Sequence, residues 1–89
     1  MRLDMFLKTS RLVKRRSVAK ELCDKGRVKV GGQSAKAGRE VKEGDVLSLN
    51  LSRRKVVAEI VLIPPGNVSK EKAAELYKII EDIKQEDAF

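Results

Sequence analysis

The sequence predicts an α+β fold: two N-terminal helices packed on a small, mostly antiparallel, twisted sheet, followed by a C-terminal helix. Three observations predict it. Two short early segments place apolar residues three and four apart. After Gly26 the apolar period switches to two, as a half-buried strand requires. A second helical stripe then appears near the C-terminus. With 89 residues there is one core, and such a chain buries only ~60–65% of its unfolded surface.

The elements follow in order. Residues 3–9 read as a helix because Leu3, Phe6 and Leu7 share one face. Asp4, at its start, suits a carboxylate that accepts free N–H groups; the other reading is that it orients a neighbouring arginine. Residues 10–16 make a basic connection, and Ser17 reads as the N-cap of the second helix. Val18, Ala19, Leu22 and Cys23 share that helix's buried face, and Gly26 ends it. A buried lone Cys23 is a core residue rather than a reactive thiol.

Arg27-Val28-Lys29-Val30 alternates as a strand. Gly31-Gly32 then gives a two-residue hairpin, since both positions can take positive φ. Lys36 and Arg39 lie on the return segment, and residues 41–45 form a turn. Leu47, Leu49 and Leu51 alternate with polar residues in another strand. Arg53-Arg54-Lys55 is a basic turn, and residues 56–63 form the most apolar strand, expected to be the last. Pro64-Pro65-Gly66-Asn67 stops it. Ser69 caps a final helix with a stripe of Ala73, Leu76, Tyr77, Ile80 and Ile83, its outer face acidic through Glu75, Glu81, Asp82 and Glu86. The expected organisation is 1–63 as one domain with a core motif over about 1–52, then 64–89 as a turn and an acidic amphipathic helix.

Charge is uneven. Residues 1–56 hold 16 basic and 6 acidic side chains, a net +10, and residues 57–89 hold 4 and 7, a net −3. Together they give the +7 of the chain. This asymmetry, with a pI of 9.8, points to a polyanion bound by the first two-thirds. Arg16 and Lys20 stand one turn apart on the exposed side of the second helix, just after Lys14 and Arg15. Like charges at that spacing repel by a few tenths of a kcal/mol, and a bound phosphate relieves the repulsion.

The same composition excludes other classes. There is no His, so no Ser-His-Asp or Cys-His site and no His-liganded metal is possible. One Cys excludes an internal disulfide and fits a reduced, cytoplasmic setting. No phosphate-binding glycine loop or nucleophile motif is present. The expectation is a protein that is not an enzyme, needs no cofactor or metal and does not enter a membrane. The only aromatic residues are Phe6, Tyr77 and Phe89, so recognition rests on phosphates and shape rather than on base stacking.

These residues carry a family resemblance. Arg2-Leu3-Asp4-x-Phe6-Leu7, Ser10-Arg11, Lys14-Arg15-Arg16-Ser17-x-Ala19, Gly26-Arg27-Val28-x-Val30-x-Gly32 and Val41-Lys42-x-Gly44-Asp45 together resemble a free-standing S-four-type RNA-binding domain. Over its whole length the chain is similar to a small bacterial subfamily of ribosome quality control proteins related to heat-shock protein fifteen. The resemblance implies a helix–helix–hairpin RNA face. Arg2, Lys8, Arg11, Lys14, Arg15, Arg16, Lys20, Arg27 and Lys36 would contact RNA, supported by Asp4 and Ser17. It also implies the large ribosomal subunit as the site of action, with large-subunit rRNA and peptidyl-tRNA as partners beside an elongation factor that adds alanine to a stalled nascent chain. The chain itself would be monomeric when free. The alternative functions are a general structured-RNA binder or an accessory module of an RNA-modifying enzyme. Duplex DNA is a further candidate partner, although the 10–16 connection is long for a helix-turn-helix.

Overall fold

The computed structural model describes residues 1–84. Three helices, α1 (Leu3–Thr9), α2 (Arg16–Asp24) and α3 (Lys70–Ala73), accompany five strands: β1 (Val28–Val30), β2 (Gln33–Ser34), β3 (Val46–Leu51), β4 (Arg54–Ile60) and β5 (Tyr77–Lys84). The strands form one sheet in the order β2-β1-β3-β4-β5, every pair antiparallel. The α+β expectation therefore holds.

Helix α1 spans the residues its apolar spacing predicts and buries Leu3, Phe6 and Leu7 completely. No side chain caps it in the usual position. Its first N–H groups are satisfied from a distant loop instead: Leu3 N–H donates to the Arg39 carbonyl at 2.8 Å and Asp4 N–H to the Ala37 carbonyl at 3.1 Å. Arg2 and Glu40 form an isolated bridge beside these bonds. The loop at 37–41 is thus the N-terminal cap of α1.

Helix α2 begins two residues earlier than an N-cap at Ser17 suggests. Arg15 is its extended N-cap, and the Arg15 carbonyl accepts the Ala19 N–H. Ser17 lies exposed in the first turn, so the N-cap expected at Ser17 is corrected to Arg15. The buried face of α2 is also narrower than its four apolar residues imply. Ala19 and Cys23 reach the core, Leu22 is half-buried, and Val18 is 41% exposed. Leu12, Val13, Val18, Leu22 and Leu51 line a shallow apolar groove there, beside Lys14 and Arg15.

Strand alternation holds in β1 and β3. Val28, Val30, Leu47 and Leu49 face the helices, while Lys29 and Asn50 face solvent. Gly31 and Gly32 both take positive φ, 59° and 86°, in the two-residue turn that pairs Val30 with Gln33. Ser52 and Arg53 make the next hairpin, so Arg54 and Lys55 belong to strand β4 rather than to a basic turn.

The long final helix is not formed. Ser69 does cap a helix, its Oγ accepting the Lys72 N–H at 3.2 Å, but α3 is a single turn that buries Ala73. From Tyr77 the chain becomes β5 and pairs with β4, so β4 is not the last strand. Two forces favour this outcome. β4 would otherwise leave a row of backbone groups unpaired, and Ile79, Ile80 and Ile83 are β-branched. A bulge shifts the register, with Val57 opposite Glu81 but Ala58 opposite Ile79. The extra residue, Ile80, breaks the two-residue period and leaves spacings that read as helical. Arg54 Nε donates to Asp82 Oδ1 at 2.6 Å across the pair, and this holds the Asp82 carboxyl below the usual carboxylate range. Of the acidic positions assigned to that helix, Glu81 and Asp82 lie on β5. Glu86 lies outside the described residues.

Candidate RNA-binding face

Asp4 organises the junction of α1 and α2. Its side chain is 2% exposed, and three donors converge on it. Oδ1 accepts the Met5 N–H at 2.8 Å, so it satisfies one free donor of the helix start. Oδ2 accepts Arg16 Nε at 3.2 Å. Arg2 approaches from the other side, with Nε 3.3 Å from Oδ1 and Nη2 donating to Oδ2 at 3.5 Å. Both readings of Asp4 are therefore realised in one carboxylate.

The Arg16 contact uses Nε, which leaves both terminal nitrogens of the guanidinium clear of Asp4. The arginine side chains are 48% and 45% exposed, for Arg2 and Arg16, so each stands half in solvent with its stem oriented. This arrangement presents the terminal fork of Arg16, with the outer edge of the Arg2 guanidinium beside it, to a phosphate. Gly38 lies beneath Arg2: a methyl on Gly38 would come within 3.6 Å of Arg2 Nη2.

Other basic residues fall into separate groups. Lys8, Arg11 and Lys14 line one concavity together with Asn67 and Val68. Arg15 and Lys20 are exposed on α2 and its approach. Lys36 is exposed immediately before the loop that caps α1. Arg27 stands apart, at the end of α2, with Nη1 donating to the Asn50 carbonyl at 3.4 Å. It shares a concavity with Lys29 and Lys55 on the sheet. Asn67 and Lys55 were not legible as site residues. Asn67 reaches the basic helix only through the tertiary path of its loop, and Lys55 is placed by the Asn50–Lys55 register.

Arg11 carries a backbone signal. It takes φ 64°, the one positive φ among the described residues other than glycine. It follows the Ser10 C-cap, where a left-handed residue closes the helix while Val13 N–H bonds back to the Leu7 carbonyl at 3.1 Å. Glycine is the unstrained choice there, and an L residue costs ~1–2 kcal/mol. Arg11→Gly is therefore expected to keep or slightly raise the melting temperature while RNA affinity falls several-fold. Melting and titration of the same variant check this; a fall in both would show that Arg11 serves the fold.

Cys23 is free and buried. Burial, then the nearby carboxylates of Asp4 and Asp24, pushes its thiol up to about 11. The thiolate is consequently scarce at neutral pH. Native protein at pH 7.5 is expected to resist alkylation by iodoacetamide, with labelling appearing in denaturant; rapid native labelling would contradict a sealed core position. Among the described residues, no cluster of three or more His, Cys, Asp or Glu could hold a metal ion. No helix among them is long and apolar enough to cross a membrane.

The residues that build this junction match a known pattern: the family model for the S4 domain matches residues 1–47. The chain belongs to the S4 domain family. Its S4 portion comprises α1, α2, β1, β2 and the start of β3. Relatives extend the likeness beyond it. The RQC P-site tRNA stabilizing factor of Halalkalibacterium halodurans is 51% identical over 79 residues, covering 89% of each chain. The factor of the same name from Bacillus subtilis is 43% identical and covers 94% of this chain and 96% of its own. Among solved structures, Vibrio cholerae Heat Shock Protein 15, described as trimeric, superposes with a TM-score of 0.82 at 29% identity, covering 89% of this chain and 80% of that one. The solution structure of hypothetical protein HP1423 gives 0.78 at 36% identity, covering 91% and 98%.

Proposed function

We propose that this S4 chain is a non-catalytic, cytoplasmic RNA-binding factor that acts on the large ribosomal subunit during rescue of stalled ribosomes. It binds large-subunit rRNA and peptidyl-tRNA, and so supports alanine addition to the nascent chain by a partner elongation factor. The observation that carries the reading is the Arg2–Asp4–Arg16 junction, in which one buried carboxylate orients two half-exposed guanidinium groups. Near-full-length identity to factors named for P-site tRNA stabilisation supports it. Phosphate and shape recognition explain why the face is basic yet, among the described residues, carries no exposed aromatic ring.

The test uses a tagged chain expressed in its own cells. Purified material is expected to contain large subunits with tRNA, and deletion of the gene is expected to remove alanine tails from stalled products. Recovery of the tagged chain free of large subunits, with tails unchanged on deletion, would overturn the proposal.

A further inference from the structure

We propose that the open face of the sheet is a second RNA-contact surface, separate from the Asp4 junction, which takes a ribose-phosphate backbone through Arg27, Lys29 and Lys55. The inference rests on the function proposed above and assigns it a second site.

Alternation separates the two faces. Val28, Val30, Leu47, Leu49 and Val56 pack against α1 and α2 in one core. Lys29, Asn50 and Lys55 alternate with them and point to the opposite side. Register brings these residues together: Lys29 lies across from Ser48, and Asn50 across from Lys55. Arg27 bends over the same end of the sheet through its bond to the Asn50 carbonyl. The three cations line a single concavity with Ser48 and Asn50. Gly32 forms part of its wall, and nothing lies within 4 Å of where its Cβ would be, so a backbone can approach closely.

The chemistry selects the ligand. Three positive charges share the concavity, and among the described residues no carboxylate lines it. Lys29 and Lys55 make no ion pair among the described residues. Glu59 and Glu81 belong to the same face further along β4 and β5, and they bound the patch on that side. Among the described residues the lining has no aromatic ring and no large aliphatic side chain, so it suits neither stacked bases nor an apolar protein segment. A serine hydroxyl and an asparagine amide suit ribose hydroxyls and phosphate oxygens. Two basic faces on opposite sides of one sheet allow the chain to hold two RNA segments at once.

The experiment compares the native chain, the double variant Lys29→Ala/Lys55→Ala, Arg16→Ala and the triple combination. The probes are protein-free large-subunit rRNA, bulk tRNA and intact large subunits, each titrated at several KCl concentrations. Both lysines are exposed, so the double variant is expected to melt like the native chain. For at least one protein-free RNA it is expected to lose about tenfold in affinity, and its salt slope to fall by about 1.5, as for two lost phosphate contacts. Its loss and that of Arg16→Ala are expected to multiply in the triple variant, since the faces are separate. Lys29→Arg/Lys55→Arg is expected to retain native binding. If the double variant binds both protein-free RNAs within twofold of native at an unchanged slope, the inference is overturned. That holds even where intact subunits bind less, because the face would then touch ribosomal protein. If only Arg16→Ala weakens binding, this inference falls alone; if neither variant does, the proposed function falls with it.

Discussion

An Arg16→Ala variant is expected to bind structured RNA ~1–3 kcal/mol more weakly than the native chain, a loss of about 5- to 150-fold. The magnitude follows from how the guanidinium is held. Its Nε is committed to a buried carboxylate, so the side chain loses little further freedom when a phosphate arrives. Arg16→Lys keeps the charge but loses both the Nε contact and the fork, and an intermediate loss is expected. Asp4 keeps Arg2 as a partner in either variant, so melting is expected to fall only slightly. Titration at fixed salt, paired with thermal melting, reads both quantities. An affinity loss below a few tenths of a kcal/mol would remove Arg16 from the site.

Asp4→Ala carries the largest expected effect on stability. It removes the acceptor for the Met5 N–H and for two guanidinium groups at a position that solvent scarcely reaches. Hydrogen bonds to a charged group contribute ~1.5–3 kcal/mol each, and the half-exposed arginines discount their share. A net loss of about 2–3 kcal/mol is expected, which lowers the melting temperature of a chain this size by roughly 10–20 °C. The direction of the binding change separates two explanations. Removing a carboxylate raises the net positive charge, and charge alone would strengthen RNA binding. If Asp4 positions Arg2 and Arg16, binding weakens instead. Titrations well below the melting point, on fully folded protein, decide between them, and tighter binding would refute the positioning role.

The helices and the first strands were legible because each obeys one period. Leu3, Phe6 and Leu7 mark a face of α1, and Val28, Lys29 and Val30 mark two sides of β1. The third helix was misread because the bulge at Ile80 places Ile79 and Ile80 next to each other, and no pattern of period two survives it. Within the site, residue type identified the arginines and both roles of Asp4. What the sequence could not show was convergence. The sharing of Asp4 by Arg2 and Arg16 depends on how α1 crosses α2. Likewise Lys29 and Lys55 become neighbours of one concavity only through the β1–β3–β4 register. Ser17 was misplaced because a cap residue type does not fix the first turn when the tertiary bond from Arg16 to Asp4 already holds it.

The loop that caps α1 has a kinetic consequence. A helix of seven residues is unstable alone, because nucleation outweighs the few bonds it makes. Its first two donors, the Leu3 and Asp4 N–H groups, find acceptors at Arg39 and Ala37, across a closure of roughly 35 residues. Helix α1 is therefore expected to form together with the closure of that loop, and the guanidinium pair is not expected to be assembled by the N-terminal segment alone. Affinity for RNA then appears in refolding as a single step with the core, and no partly folded species should compete for the nucleic acid.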